Sequence, residues 1–230
     1  MSITAIIPVR QGSTRLKNKN IAPFAGQTLL SFKIEQLKSV KEISKIVVSS
    51  DSDFMLNIAR SLGVSLHKRE DEYCDEKSKS FGQVVRHICE HVDGEDILWA
   101  TCTAPLVAPD VYSKAILNYI SMDPEKYDSL VSVQIFKRYL WNHEGPMNYK
   151  LGLNHVPSQQ LPEWYLISDG ILIAKRLDMI NWNYFHGLKP YKFVLDKKSS
   201  IDIDDGLDLA AAKSWLDMSE NESQIDPFLI

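Results

Sequence analysis

Ile3-Thr4-Ala5-Ile6-Ile7-Pro8-Val9-Arg10-Gln11-Gly12-Ser13-Thr14-Arg15-Leu16-Lys17-Asn18-Lys19-Asn20 opens the chain and decides how the rest is read. Ile3 to Ile7 is a continuous apolar run of strand length, the pattern of a parallel strand covered on both faces. Directly after it, Arg10, Arg15, Lys17 and Lys19 surround a Gly12-Ser13 turn. Glycine lets backbone N–H groups approach an anion closely, and serine adds a hydroxyl donor. Arginine supplies a bidentate fork for phosphate oxygens, and lysine a compact charge. A triphosphate calls for this combination, because charge shifts towards the departing pyrophosphate when the α-phosphorus is attacked. The spacing fits neither a Walker loop nor a dinucleotide fingerprint. A solvated basic turn is the bland alternative, but α/β folds collect their ligands at such strand ends.

Outward from this stretch, strand-like and helix-like segments alternate. Ile46-Val47-Val48 predicts a second strand, ending at Ser49-Ser50-Asp51. Phe54, Met55, Ile58 and Leu62 recur at helical spacing, with Gly63 as the stop. Val64 to His67 predicts a strand, Gln83 to Val92 a helix, Ile97 to Ala100 a central strand and Pro109 to Tyr119 a helix. Leu130 to Val133 and Ile171 to Ala174 follow as strands, and Leu207 to Leu216 as a closing helix. This βαβα rhythm predicts an α/β fold with a doubly wound, mainly parallel sheet, its ligands at the carboxyl ends of the strands. The rhythm breaks over about 134–168, a stretch rich in Trp, Tyr, Asn and Pro. An insertion of that length is expected to be a lid or an interface arm. One domain over 1–218 and a polar, frayed tail over 219–230 complete the expectation.

Bulk properties exclude several classes. With 44% hydrophobic and 24% charged residues, the chain can bury a full core and is not disordered by composition. The net charge of −4, spread without a basic block, argues against a general nucleic-acid binder, so an anionic ligand needs a local site. No apolar run approaches the roughly 20 residues that span a bilayer, and Ile3 to Val9 is too short for a signal-peptide core. Three cysteines, Cys74, Cys89 and Cys102, are an odd number without close pairing; they are expected as free thiols and apolar fillers in a reducing cytoplasm.

Three further patterns carry chemistry or imitate it. Ser200-Ile201-Asp202-Ile203-Asp204-Asp205 reads as a strand with Asp202 and Asp204 on one face, about 6–7 Å apart, close enough to share a hydrated Mg²⁺. The alternative is an exposed edge followed by Asp205 as a helix N-cap. His87-Ile88-Cys89-Glu90-His91 matches the H-x-x-E-H pattern of inverted zinc peptidases. Val84, Val85, Ile88 and Val92 form the apolar helix face, which leaves His87 pointing away and His91 at the flank, so an exposed helix face is expected and no zinc. Trp141, Trp164 and Trp182 are expected in core or interface positions rather than as stacking platforms.

Ile7-Pro8-Val9-Arg10-Gln11-Gly12-Ser13-Thr14-Arg15-Leu16 through Lys19-Asn20-Ile21 resembles the opening motif of the acylneuraminate (CMP-sialic acid) cytidylyltransferase family. Val47 to Ser52, Thr103-Ala104-Pro105-Leu106, Asp169-Gly170 and Ser200 to Asp204 extend the resemblance to about residue 216. It implies a nucleotidyltransferase-like, Rossmann-like fold that joins CMP from CTP to an acidic nine-carbon sugar and releases pyrophosphate. It implies that Arg10 and Lys19 contact the triphosphate as the catalytic cations, that Gly12 and Ser13 shape the loop, and that Arg15 and Asn20 line its mouth. It adds Arg69 and Ser80 near the nucleotide and Asp202 and Asp204 as ligands of Mg²⁺. On the acceptor side it points to Thr101, Thr103, Gln160, Tyr165 and Asp169. The insertion is implied to exchange contacts across a homodimer.

Three stretches depart from the family pattern: Thr101-Cys102-Thr103-Ala104-Pro105 for Gln-Pro-Thr-Ser-Pro, Pro157-Ser158-Gln159-Gln160 for Arg-Arg-Gln-Asp, and Asp169-Gly170 for Asn-Gly. All three lie on the acceptor side. Transfer to Kdo or another sugar, and a non-catalytic nucleotide-binding relative, therefore stay open beside the sialate reading.

Overall fold

Strand β1 (Ile3–Pro8) is buried from both sides, and its alternation seeds two cores. Ile3, Ala5 and Ile7 pack with Leu30, Ile34, Val48 and Ile116, while Ile6 packs with Val85, Ile88, Trp99 and Met179. Each fully buried Ile or Leu stabilises by about 1.5–3 kcal/mol, so β1 cannot slip in register without exposing one set. The computed structural model describes residues 2–13, 15–75 and 77–220, of which 217–220 are described as backbone only.

β1 is joined by β2 (Ile43–Ser50), β3 (Ser65–Lys68), β4 (Asp96–Trp99), β5 (Ser129–Phe136), β6 (Trp164–Lys175) and β7 (Pro190–Val194). They form a seven-stranded sheet of order β3-β2-β1-β4-β6-β5-β7. β1 to β4 are mutually parallel, as are β5 and β7; only β6 runs antiparallel to its two neighbours. Helices α1 (Leu29–Lys38), α2 (Asp53–Ser61), α3 (Phe81–His91), α4 (Pro109–Ser121), α5 (Arg176–Trp182) and α6 (Gly206–Glu220) complete the fold. α1, α2 and α4 cover one face, α3 and α5 the other. This is the mainly parallel α/β architecture that the strand rhythm predicts. The strand order reverses between β1 and β4, which opens a crevice at their carboxyl ends.

Four expectations need correction. Residues 200–204 are not a strand. The segment makes one backbone ladder bond, from Ile203 N to Thr103 O at 2.8 Å, and has no strand beside it to pair with. Ile203 is nonetheless fully buried with Phe24, Leu106 and Ala212, and Ile201 packs against the same cluster. The insertion is not irregular at its roots: Gln134 to Phe136 and Trp164 to Ile167 pair as the distal ends of β5 and β6. Only 137–163 departs from the sheet, as a two-residue ribbon (Trp141–Asn142 with Gly145–Pro146) and two 3₁₀ turns. His87 does not point outward; it is 7% exposed, because α3 is covered on a second side by the 3₁₀ turn Asp71–Tyr73. Of the tryptophans expected in core or interface positions, Trp182 packs against the second core, while Trp141 on the inserted segment and Trp164 at the start of β6 are exposed, which leaves the interface reading open for them. Of the expected tail, Ser219 and Glu220 continue α6 and 221–230 lies outside the described residues.

Candidate active site at the switch point of the sheet

Beyond β1 the chain keeps one more ladder bond, Val9 N to Ser49 O at 2.9 Å, and then leaves the sheet as the basic loop. Gly12 takes φ 84°, a left-handed conformation that a side chain would strain. Gln11 N donates to Asp51 Oδ1 at 2.9 Å, which ties the loop to the end of β2. Asn20 is buried and works as a rivet: its Nδ2 donates to Arg10 O at 3.0 Å and its Oδ1 accepts from Cys102 Sγ at 3.3 Å. The loops after β1 and β4 are thereby held to each other.

The cations meet the carboxylates across this gap. Lys19 Nζ donates to Asp204 Oδ1 at 3.1 Å and Arg15 to Asp204 Oδ2 at 2.7 Å. The Arg15 side chain is 68% exposed, so its pair adds only about 0–1 kcal/mol to stability. Such a fork on one carboxylate matters for the field at the site more than for holding the fold. Arg69, 3% exposed, reaches Val9 O at 2.7 Å and Cys74 Sγ at 2.9 Å, so its guanidinium forms a fixed wall. Arg10 donates to Cys74 O at 3.2 Å.

Asp204 is held in place by the start of α6. Asp208 Oδ2 accepts from Asp204 N at 3.0 Å and Asp205 N at 3.1 Å, while Asp205 Oδ1 accepts from Leu207 N at 2.8 Å and Asp208 N at 3.1 Å. Asp205 thus caps the helix, and Asp204 is free to face the cleft. Opposite it, the register of β6 slips between Ile167 and Leu172. Ser132 plugs the slip: its hydroxyl donates to Ser168 O at 2.6 Å and accepts from Ile171 N at 2.9 Å. Bulges of this kind re-aim side chains at sites, and this one places Asp169 in the cleft wall.

The result is a cleft of about 580 Å³. Arg10, Ser13, Arg15, Lys19, Asn20 and Arg69 line its basic side, and Thr101, Thr103, Asp169 and Asp204 the other. Gly12 shapes the loop without forming a wall. Ser80 is spent elsewhere, capping α3 by accepting from Gln83 N at 3.3 Å. Gln160 and Tyr165 sit on the inserted segment outside the walls, the tyrosine hydroxyl donating to Glu163 at 3.3 Å. Composition and motif missed Tyr73, Lys79, Trp99 and Phe185, which also line the cleft. Lys79 lies in the charged run before α3 and could have been singled out; the aromatics carry no signal that separates a cleft floor from core.

A divalent cation fits the acidic side. Burial raises the carboxyl pKa of Asp202, with the Asp204 charge adding to it against the Thr103 hydroxyl and Lys19. Burial likewise raises that of Asp169, reinforced by the charges of Asp202 and Asp204. Asp202 Oδ1 is buried without a hydrogen-bond partner. Asp204 and Asp169 line the cleft and Asp202 does not; the orphaned Asp202 oxygen and the Asp204 carboxylate are the oxygen donors that a hard cation would take here.

Residues 4–143 match the family described as Cytidylyltransferase, which is more than half of the chain. The chain belongs to the cytidylyltransferase family. It is 28% identical over 231 residues to an N-acylneuraminate cytidylyltransferase of Escherichia coli O18:K1:H7, a match that covers 97% of this chain and 54% of that protein. It is 25% identical over 223 residues to the pseudaminic acid cytidylyltransferase of Campylobacter jejuni serotype O:2, covering 93% and 95%. The chain therefore spans about half the length of the N-acylneuraminate cytidylyltransferases it matches, and nearly all of the pseudaminic acid enzyme. Among solved structures, a CMP:2-keto-3-deoxy-manno-octonic acid synthetase complexed with CTP superposes with TM-score 0.68 at 10% identity, covering 95% of this chain and 100% of that one. A cytidylyltransferase of Leptospira borgpetersenii superposes with TM-score 0.64 at 18% identity, covering 96% and 95%. Both likenesses concern the fold. The basic loop, the Thr103 segment and β1 from Thr4 onward fall inside the matched residues 4–143, while Asp169, Asp202 and Asp204 lie beyond them.

Proposed function

We propose that the chain transfers CMP from CTP to an acidic sugar, of the nine-carbon sialic type, and releases pyrophosphate. The observation that carries this is the meeting of Lys19 and Arg15 with Asp204 at the mouth of the β1–β4 crevice. An arriving triphosphate competes with Asp204 for these two cations. With both turned to phosphate oxygens, Asp204 would be free to hold Mg²⁺ together with Asp202. When bound there, Mg²⁺ supplies charge neutralisation on the phosphates and Lewis-acid polarisation.

This chain's own residues do the positioning. Arg10 and Lys19 hold the β- and γ-phosphates and stabilise the charge that grows on pyrophosphate as it leaves. The fixed guanidinium of Arg69 and the Ser13 hydroxyl bound the same pocket. Thr101, Thr103 and Asp169 face the acceptor, whose anomeric hydroxyl attacks the α-phosphorus in line, a reaction driven mainly by orientation and charge. A sugar acid is favoured because the names of two relatives specify N-acylneuraminate and pseudaminic acid. Lys19→Ala is expected to lower turnover about 100- to 1,000-fold with the far-UV spectrum unchanged; wild-type rates in that variant exclude the assignment.

The exposed apolar side chains of the inserted segment and strand ends, among them Ile135, Trp141, Trp164, Leu166 and Ile167, support a homodimer formed through this arm. All three cysteines are free and buried, which supports a reducing, cytoplasmic setting. No helix among the described residues is long and apolar enough to cross a membrane.

A further inference from the structure

Outside the cleft, three histidines from two elements converge. His67 lies on β3, and His87 and His91 lie one turn apart on α3; one ring nitrogen from each lies within 4.8 Å of the other two. The ring centroids of His87 and His91 are 4.4 Å apart, and those of His67 lie 5.5 and 5.6 Å from them. Two zinc–nitrogen bonds of about 2.0–2.1 Å at a tetrahedral angle set their nitrogens roughly 3.4 Å apart. Small side-chain rotations suffice to close the remaining gap.

The hydrogen bonds around the rings prepare them as ligands. His91 Nδ1 lies 2.7 Å from His87 O, and a carbonyl only accepts, so Nδ1 carries the proton and Nε2 keeps its lone pair. His67 Nδ1 is engaged by the Ser49 hydroxyl at 3.0 Å, which leaves its Nε2 for a cation. A hydrogen bond to the ring nitrogen that faces away from the ion fixes the orientation of a metal-binding imidazole. His87 Nε2 is buried without a hydrogen bond, although Glu70 Oε2 stands 2.9 Å away in poor alignment. An orphaned buried nitrogen beside a carboxylate is what a shared cation resolves. Tyr73 stacks on His87 with centroids 3.8 Å apart and shields the cluster from the cleft.

We propose that His67, His87 and His91 bind one divalent transition-metal ion of the zinc class, with the Glu70 carboxylate as fourth donor. Imidazole donors select such ions over Mg²⁺, which prefers oxygen. The site is not that of an inverted zinc peptidase. Glu90, the base of that pattern, turns to Arg86 at 2.7 Å, and the third imidazole comes from β3 instead. Its role is to brace a wall of the active site: Arg69 follows His67 by two residues, and Tyr73 lines the cleft on its other side.

The test uses the full, tag-free chain, stripped with chelator and titrated with Co²⁺ and Zn²⁺ in excess Mg²⁺. Expected are one equivalent per chain, visible absorption of a four-coordinate Co²⁺, and a rise in Tm on adding Zn²⁺. His91→Ala, at an exposed position that leaves the fold intact, is expected to weaken binding at least about 10-fold and abolish the Tm rise. His67→Gln is expected to do the same. Absence of stoichiometric binding overturns the proposal. So does equal affinity in the wild type and both variants, or a weak octahedral spectrum that Mg²⁺ displaces, which would place the ion at Asp202 and Asp204.

Discussion

Lys19 and Asp204 are 185 residues apart in the chain and 3.1 Å apart in the folded protein. Their pairing joins the loop after β1 to the segment before α6, and Arg15 binds the same carboxylate from the other side. In this state Asp204 neutralises Lys19 and Arg15, so on the proposed reading an arriving triphosphate has to part them.

That competition gives Asp204→Asn two opposite effects. Without Mg²⁺, CTP is expected to bind more tightly than in wild type, because Lys19 and Arg15 lose their internal counter-charge. With Mg²⁺, turnover is expected to fall about 100-fold or more. Calorimetry in chelator and a pyrophosphate assay read the two arms; weaker CTP binding in chelator would show that Asp204 does not compete with phosphate.

Asn20→Ala removes both ties of the rivet, to Arg10 O and to Cys102 Sγ. Leaving the Arg10 carbonyl without its partner is expected to cost about 1–3 kcal/mol of stability. The KM for CTP is expected to rise more than kcat falls, because Arg10 is loosened and no group that touches the reacting atoms is lost. Urea unfolding and steady-state kinetics check the pair of effects.

Lys33 is fully buried, with its ammonium donating to Ala104 O and to the Tyr112 hydroxyl, both at 2.8 Å. Burial lowers its pKa from 10.5 to about 7. Between those values the unfolded chain holds a proton that the folded chain does not, so this residue's contribution to stability rises with pH from about 7 upward. Lys33→Met removes that slope. The unfolding free energy of wild type minus that of Lys33→Met is therefore expected to increase from pH 7 to pH 9 in urea titrations; a constant difference would contradict the buried titration.

Leu166→Asp places a charge on the exposed apolar face at the root of the inserted segment. If the segment pairs two copies, the variant is expected to sediment as a monomer while the wild type sediments as a dimer. A wild-type monomer at micromolar concentration would exclude the arm as an interface.

Much of this architecture was legible because β1 states its own environment. An apolar run with no polar face calls for cover on both sides, and the charged turn after it has to leave the sheet. The Ile-Asp alternation at 201–204 also predicted that the aspartates part from the isoleucines, but not the absence of a strand, since pairing depends on a neighbour that the local pattern cannot reveal. His87 was misread for a related reason. A helical wheel sees the apolar face of α3, whereas the second covered face is packed against Tyr73, and an aromatic stack leaves no hydrophobic period. Asp169 reaches the cleft through a slip in β6 sealed by Ser132, a detail of register with no mark in composition.

Pyrophosphate release, with mass detection of the product, from CTP, Mg²⁺ and a panel of eight- and nine-carbon sugar acids and neutral sugars tests the central claim most directly. The expected result is release with a nine-carbon acid, matched by a CMP-sugar of the corresponding mass, and none with neutral sugars. Silence across the panel while CTP still binds, or release with a neutral sugar alone, would contradict it.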